Sequence, residues 1–335
     1  MTGLCADERA PGMTAPMRRS RDVPVLVAAA RDGDPRAVAR LVSLVEDGDP
    51  CLPELAAALA PHTGSAQLIG LTGSPGVGKS TLTNELVRAY RAQGLRVGVL
   101  AVDPSSPFTG GAILGDRVRM QDHATDPGVY IRSMSSRGHL GGLAGSTPQA
   151  VRVLEGAGCD VVLIETVGVG QAEVEVASLA DTTLVLLAPG MGDAIQAVKA
   201  GILEVADVFV LNKADRDGID AAARDIQGMI ALGSRAPGQW RPLVVRTVAA
   251  RAEGVADVIA GIAKHRAFLQ EHGQLTARRE RRARVEVEEI ALASLRVRIE
   301  AVRQGTALPE LAAEVAAGRL DPYAAAATLL ASLNP

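Results

Sequence analysis

The chain has 335 residues, of which 47% are hydrophobic but only 2% aromatic, and its formal net charge is −3. This length and apolar content suffice for one large domain with additions at its ends, around a core of mainly Ala, Val and Leu. The near balance of charge excludes a global attraction to nucleic acid or to an anionic membrane surface, so neither is expected as a partner.

Cysteine usage and the first residues point to a cytoplasmic location. The three cysteines, Cys5, Cys51 and Cys159, are scattered and odd in number, which favours a reducing compartment over a disulfide scaffold. No apolar run approaches the roughly 20 residues that a membrane-spanning helix needs. Residues 1–22 contain charges, Pro and Gly without an apolar segment. They are therefore interpreted as a disordered leader and not as a signal peptide.

The remaining chain divides into three parts by its hydrophobic pattern. Helical spacing, interrupted by Gly-Asp-Pro turns, predicts an N-terminal helical extension over 23–62. Over 63–272, helices alternate with six apolar runs that are predicted to be strands: QLIGLTG, RVGVLAVD, DVVLIETVG, TTLVLLAPG, VFVLNKAD and PLVVRTVAA. Such runs indicate an α/β domain with a central, mostly parallel sheet flanked by helices. Residues 273–335 are predicted to be helical again.

The first run is followed by a phosphate-loop motif, G-x-x-x-x-G-K-[ST], which also begins a helix. Its glycines allow backbone N–H groups to face phosphate, and the helix N-terminus adds its dipole. Lys79 can reach the β- and γ-phosphates, and Ser80 can bind magnesium. The flanking strand and helix favour this interpretation over a glycine-rich turn with an incidental Lys-Ser pair. The candidate nucleotide-binding residues here are Gly73, Ser74, Gly76, Val77, Gly78, Lys79, Ser80 and Thr81.

The fifth run ends in N-K-x-D, which points to guanine as the base. Asp215 can accept hydrogen bonds from two donors on the Watson–Crick edge of guanine, which adenine cannot supply together. Asn212 is expected to hold the loop and contact the base, and the stem of Lys213 to lie over the ring. A backbone N–H for guanine O6 is expected from Thr247, Val248 and Ala249.

The third run ends in E-x-x-G, a variant of the D-x-x-G motif that senses phosphate. Glu165 is expected to hold magnesium through water, and the Gly168 N–H to contact the γ-phosphate. Residue 169 is Val where Ras-like enzymes carry a water-positioning Gln, so slow intrinsic hydrolysis is expected unless a partner or another loop completes the site. The plain alternative for Glu165 is an ordinary carboxylate at a strand end.

Two further carboxylates follow the second run. Asp103 stands at its tip, and Asp116 lies beyond a glycine-rich stretch. Two carboxylates beside a magnesium phosphate repel each other unless the metal or a water lies between them. Both are candidate magnesium ligands with Ser80 and Glu165, and catalytic candidates with Lys79 and Glu165. A solvated loop is the alternative interpretation.

Four longer strings, TGSPGVGKST, VDPSSPFTGGAILGD, ETVGVGQAEVEVA and PGMGDAIQAVKAGILEVADVFVLNKAD, together resemble the MeaB/ArgK/MMAA family. These proteins are GTPases of the SIMIBI division that act as chaperones of adenosylcobalamin-dependent acyl-CoA mutases such as methylmalonyl-CoA mutase. The resemblance implies that GTP hydrolysis to GDP and phosphate gates delivery of adenosylcobalamin to the mutase and protects it.

The resemblance also implies an assembly. Family members work as homodimers through their C-terminal helices, and adenosylcobalamin is expected to be held by the partner mutase and not by this chain. The string that contains Asp193 and Lys199 matches a third switch, which signals the nucleotide state to the mutase.

Two alternatives remain open at this point. A nickel-insertion GTPase would have the same predicted fold class, but it needs Cys and His ligands for the metal. The histidines here are spread out and no C-x-x-C is present. An ATPase or kinase linked to lysine/arginine/ornithine transport conflicts with N-K-x-D. The arginine-rich run ARRERRARVEVEE is interpreted as the solvated face of a long helix, with Glu at pairing distance, and not as a nucleic-acid site.

Overall fold

The computed structural model describes residues 22–104, 121–123, 125–136, 146–166, 172–190, 203–233, 238–303 and 306–331. The predicted leader lies outside these residues, apart from Asp22. In this part of the chain no helix is both long and apolar enough to cross a membrane.

Within those ranges, seven parallel strands form one sheet with the order β3-β2-β4-β1-β5-β6-β7. The strands are β1 Gln67–Thr72, β2 Val97–Pro104, β3 Val129–Ser136, β4 Val161–Thr166, β5 Thr182–Leu187, β6 Val208–Leu211 and β7 Leu243–Arg246. The six apolar runs are confirmed as strands, and the predicted fold class is confirmed. The strand that the sequence does not predict is β3, because its segment VYIRSMSS mixes polar with apolar residues. Among the described residues it pairs only with β2, at one edge of the sheet.

The helices lie before, between and after the strands, and a single short turn, Leu203–Val205, precedes β6. Those of eight or more residues in the described part of the chain are numbered here. They are α1 Val23–Arg31, α2 Pro35–Glu46, α3 Leu52–Leu59, α4 Lys79–Ala92, α5 Thr147–Gly156, α6 Ala172–Leu179, α7 Ile219–Leu232, α8 Val255–Glu271, α9 Gln274–Arg303, α10 Ala307–Ala316 and α11 Pro322–Ala331. Local signals explain where the first two begin: the side chains of Asp22 and Asp34 accept backbone N–H groups of the first turn, and Pro stands at its start.

Helices cover both faces of the sheet. On one face, α1–α3 share a hydrophobic cluster with the strands, in which Leu41 and Leu55 are grouped with Leu68 and Leu100. On the other face, α4 and α8 bury their apolar stripes against a second cluster that includes Ile69. The N-terminal helices therefore share the core of the sheet domain, and burying these aliphatic side chains stabilises them at roughly 25 cal/mol per Å² of apolar surface.

The thirty-residue helix α9 begins against the sheet and continues beyond it. The interpretation of the arginine-rich run as a solvated face is wrong for at least four of its residues. Glu286 is 9% exposed and accepts hydrogen bonds from Arg152. Arg278 binds Asp207, Arg279 binds Asp181, and Arg282 donates to the Leu179 carbonyl. The physical reason is that acidic residues precede β5 and β6 at the amino edge of the sheet, where these guanidinium groups meet them.

Candidate nucleotide-binding site

The predicted motifs meet at the carboxyl edge of the sheet. All seven strands are parallel, so the ends of β1, β4, β6 and β7 lie on the same side. The phosphate loop follows β1, Glu165 is the last residue but one of β4, and N-K-x-D follows β6. Ligands of open α/β sheets bind at this edge, outside the carboxyl ends of the strands.

Three glycines of the phosphate loop have a positive φ, which L side chains rarely adopt, and at two of them a side chain would also collide with the protein. Gly73 has φ 139° and Gly78 has φ 101°. A side chain at the first position would collide with the Leu186 carbonyl on β5, and one at the second with the Asn212 amide. The loop is therefore shaped by close approach to β5 and to the N-K-x-D segment as well as by its own turns.

Lys79, the first residue of α4, folds its ammonium group back into the loop. Its Nζ donates to the Gly73 carbonyl at 2.7 Å and to the Ser74 carbonyl at 3.1 Å, and the residue is 6% exposed. A buried cation thus lies beside the N-terminus of a 14-residue helix, whose dipole and free N–H groups attract anions. This arrangement suits a phosphate group.

Glu165 is held by two hydroxyl groups of α4. Its Oε1 accepts from Ser80 Oγ at 2.6 Å, and its Oε2 accepts from Thr83 Oγ1 at 2.9 Å. The residue is 4% exposed. Thr83 lies outside the predicted site residues. Its position three residues after Ser80 is the signal in the sequence, because that spacing places both hydroxyls on one helix face.

The structure describes the side-chain contacts of two of the four predicted magnesium ligands. Ser80 and Glu165 lie together, and their oxygens are the ligand type that Mg²⁺ prefers. Asp103 belongs to β2, at a backbone position opposite Ser135 of β3. Within the described residues no group of three or more His, Cys, Asp or Glu could hold a metal ion. The other predicted site residues, Asp116, Gly168, Asp193 and Lys199, lie outside the described part of the chain.

Asn212 joins the two motifs. Its side-chain Nδ2 donates to the Val77 carbonyl of the phosphate loop at 2.8 Å. Its Oδ1 accepts from Thr247 Oγ1 at 3.1 Å and from the Ala249 N–H at 3.0 Å. The residue is 3% exposed. The phosphate loop, N-K-x-D and the segment after β7 are thereby one hydrogen-bonded unit, while contact of Asn212 with a base stays a prediction.

Lys213 also connects N-K-x-D to the phosphate loop. It has φ 58°, which is rare for a residue with a side chain, and its Nζ donates to the Gly76 carbonyl at 2.7 Å. The chain of Lys213 therefore spans from the predicted base site to the phosphate loop.

The rim of the predicted base site carries charge. The Asp215 carboxylate is 41% exposed, and its Oδ2 lies 3.4 Å from Arg251 Nη1. The Glu253 carboxylate beside Arg251 raises the pKa of that guanidinium. The candidate O6 donors all have acceptors inside the protein: the backbone N–H groups of Thr247, Val248 and Ala249 bind Leu211 O, Glu253 O and Asn212 Oδ1.

Residues 38–304 match the model of a family described as methylmalonyl-CoA mutase-associated GTPase MeaB. The chain belongs to this family. The match contains every candidate site residue, and the resemblance to MeaB, ArgK and MMAA is confirmed. By homology, this MeaB-family chain is a GTPase and binds GTP.

Relatives from distant organisms support the assignment. A Pyrococcus abyssi protein, provisionally named as a GTPase, is 46% identical over 308 residues, which are 91% of this chain and 95% of that protein. The GTPase ArgK of Escherichia coli is 38% identical over 252 residues, 73% of this chain and 76% of ArgK. The mitochondrial methylmalonic aciduria type A homolog of Mus musculus is 40% identical over 220 residues, 65% of this chain and 53% of that protein.

A solved structure extends the similarity to the fold. The crystal structure of a protein described as a LAO/AO transport system kinase superimposes with a TM-score of 0.66 at 27% identity. The superposition covers 93% of this MeaB-family chain and 98% of the other, so it includes the terminal helices as well as the sheet.

Proposed function

We propose that this chain is a GTP-hydrolysing chaperone that gates adenosylcobalamin delivery to, and protects, an acyl-CoA mutase such as methylmalonyl-CoA mutase. The observation that carries the nucleotide part is the Asn212 side chain, which bonds the phosphate loop to the predicted guanine reader. A site built in this way would contact both the phosphates and the base of one nucleotide. The mutase part rests on the family description and on the relative whose name refers to methylmalonic aciduria.

The triphosphate would lie at the N-terminus of α4. The Lys79 ammonium would exchange the Gly73 and Ser74 carbonyls for β- and γ-phosphate oxygens, which are stronger acceptors because they are charged. Magnesium would be held by Ser80 directly and by Glu165 through water, and it would neutralise charge that develops on the phosphates. We assign the remaining magnesium and γ-phosphate contacts to three residues: Asp103, Asp116 and Gly168.

Guanine would be read by Asp215. Its carboxylate is accessible on the rim, and it can accept both donors of the guanine edge once Arg251 releases it. Adenine would leave the carboxylate with an unmatched acceptor and would bind weakly. Lys213 would cover the ring with its stem, and a backbone N–H of residues 247–249 would turn from its internal acceptor to O6.

The partner surfaces belong to the same proposal. Asp193 and Lys199 would transmit the nucleotide state to the mutase, which would hold adenosylcobalamin in the cytoplasm. Two chains would form a homodimer through the C-terminal helices. The distal part of α9 supports this because it exposes six aliphatic side chains: Val285, Val287, Ile290, Leu292, Leu295 and Val297.

The direct test is nucleotide hydrolysis by the purified protein, alone and with candidate acyl-CoA mutases. We expect slow GTP turnover, since residue 169 is Val, and a several-fold rise with one mutase. Lys79→Ala should abolish turnover, because its ammonium is the cation of the phosphate loop. Lys264→Ala is the matched control, since Lys264 is exposed on α8.

Two results would contradict the proposal. Preference for ATP would support the ATPase alternative instead. Turnover that no mutase changes would remove the chaperone role and leave a GTPase without a client.

A further inference from the structure

Thr83 has a contact that helix formation does not require. It lies in the second turn of α4 and is completely buried. Its Oγ1 lies 3.0 Å from the Lys79 carbonyl, the usual partner of a threonine within a helix, and 2.9 Å from Glu165 Oε2. A hydroxyl has only one proton, and the charged carboxylate is the stronger acceptor. The hydroxyl is therefore directed to Glu165.

Thr83 and Ser80 together set the orientation of one carboxylate. Each hydroxyl binds a different oxygen of Glu165. The backbone of Glu165 is also set, because β4 pairs with β1 and β2 on its two sides, with Leu71 and Ala101 opposite Glu165. The side chain thus has its backbone fixed by the sheet and both oxygens fixed by α4.

We propose that Thr83 is a positioning residue for the divalent cation of the nucleotide site. It holds Oε2 of Glu165 and thereby leaves Oε1 to Ser80, the residue that would bind Mg²⁺. The inference rests on the proposed function, since it assigns a role within the same site.

A physical consequence follows for cation binding. Without the Thr83 hydroxyl, Oε2 loses a donor and the carboxylate can turn away from Ser80. Outer-shell partners of this kind typically change metal affinity by about 10–100-fold when they are removed. Mg²⁺ requires near-ideal octahedral geometry, whereas Ca²⁺ accepts irregular ligands. Loss of the hydroxyl should therefore weaken Mg²⁺ more than Ca²⁺.

The experiment measures binding and not turnover. The affinity of a fluorescent GDP analogue is titrated against free Mg²⁺, and again against Ca²⁺, for the full chain. Thr83→Val keeps the shape and removes the hydroxyl, and should raise the half-maximal Mg²⁺ concentration about tenfold. Thr83→Ser keeps the hydroxyl and should restore the wild-type value. In EDTA, all variants should bind GDP alike.

A matched control separates this effect from general loss of a buried hydroxyl. Thr147 is also completely buried, at the start of α5, and its hydroxyl makes no hydrogen bond within the described residues. Thr147→Val should leave the Mg²⁺ titration unchanged. If Thr83→Val does not fold, Thr83→Ala removes the same hydroxyl, and the same shift is expected.

Two results would overturn the positioning role alone. One is a Thr83→Val protein with the wild-type Mg²⁺ titration. The other is a variant that loses GDP affinity equally with Mg²⁺ and with EDTA, which would mean that the hydroxyl supports the loop and not the cation. A wild-type protein that ignores Mg²⁺, or does not bind GDP, would overturn the proposed function as well.

Discussion

The two edges of the sheet each bury carboxylates, but they hold them with different donors. At the carboxyl edge, hydroxyls of Ser80 and Thr83 bind Glu165. At the amino edge, Asp207 receives two hydrogen bonds of 3.0 Å from Arg278, and its Oδ1 lies 3.1 Å from His265 Nε2. Hydroxyls orient a carboxylate without adding charge, whereas a guanidinium neutralises it. The first edge is suited to receive a cation. The second is an ion-paired joint, formed by Arg278 of α9 and Asp207 of the sheet.

The joint ties helix α9 to the sheet that carries the nucleotide motifs. Asp207 immediately precedes β6, and Asn212 immediately follows it. Strand β6 has only four residues. The anchor of α9 and the predicted guanine reader therefore occupy opposite ends of one short, buried strand. The following predictions test whether the two ends have separate tasks.

The largest expected effect is on stability, at the amino edge. Asp207→Ala leaves the Arg278 guanidinium without its buried partner and should lower the free energy of unfolding by about 3–5 kcal/mol. Urea denaturation followed by circular dichroism measures it. Asp225→Ala is the control, since that residue is exposed on α7, and should change stability by less than about 0.5 kcal/mol. A loss below about 1 kcal/mol in Asp207→Ala would show that the joint is not needed.

At the carboxyl edge, Asp215→Asn should change specificity and leave stability intact, because the side chain is 41% exposed. Replacing the acceptor with an amide should weaken GTP by about 100-fold or more. Xanthosine triphosphate, which has a carbonyl where guanine has an amino group, should bind the variant better than the wild type. Competition binding measures both, with Asp217→Asn as the exposed neighbouring control. Unchanged preference for GTP would remove Asp215 from base recognition.

Asn212→Ala should affect both properties, since it removes the contact between the two motifs. The Val77 carbonyl, the Thr247 hydroxyl and the Ala249 N–H would each lose a partner, and an unsatisfied buried group costs about 1–3 kcal/mol. Unfolding with and without GTP should show lower stability and weaker stabilisation by the nucleotide. Asn212→Asp should be no better, because its carboxylate would face the Val77 carbonyl. Wild-type GTP affinity in Asn212→Ala would refute the link.

Strong acid should loosen the contact between α9 and the amino edge of the sheet. Burial alone would raise the pKa of Asp207, but the neighbouring His265 and the hydrogen-bonded Arg278 guanidinium outweigh it and hold the pKa below its usual range. A depressed folded pKa means that the stabilisation is complete above the unfolded pKa of about 3.9 and is lost as pH falls through the folded pKa. Asp207→Asn should lack this loss below about pH 4, which urea unfolding at several pH values would reveal. If the stability of the wild type and of Asp207→Asn fell in parallel with pH, Asp207 would not be the group that acid titrates.

The smallest effect is expected at the exposed rim. Arg251→Ala frees Asp215 from an ion pair of 3.4 Å between two accessible side chains. Such pairs contribute little in water, so GTP affinity should rise by less than about threefold, and less at high salt. Fluorescent nucleotide titration measures it. A large loss of affinity would instead place Arg251 in contact with the nucleotide.

The local sequence pattern was sufficient to predict the elements that are defined by a few consecutive residues. The phosphate loop and N-K-x-D are short motifs with a required backbone, and continuous apolar runs identify buried parallel strands because both faces are covered by helices. The same rule missed β3, since an edge strand with polar side chains lacks such a run.

What the sequence alone determined is therefore the nucleotide-binding motifs, the fold class and the family resemblance. The tertiary structure decided which side chains hold one another. Thr83 and Glu165 are 82 residues apart, and Arg278 and Asp207 are 71 apart. Hydrophobic periodicity carries no information on such pairs, because it reports which face of an element is buried but not which element lies against it. Only the parallel sheet brings the motifs to one edge and the arginine-bound carboxylates to the other.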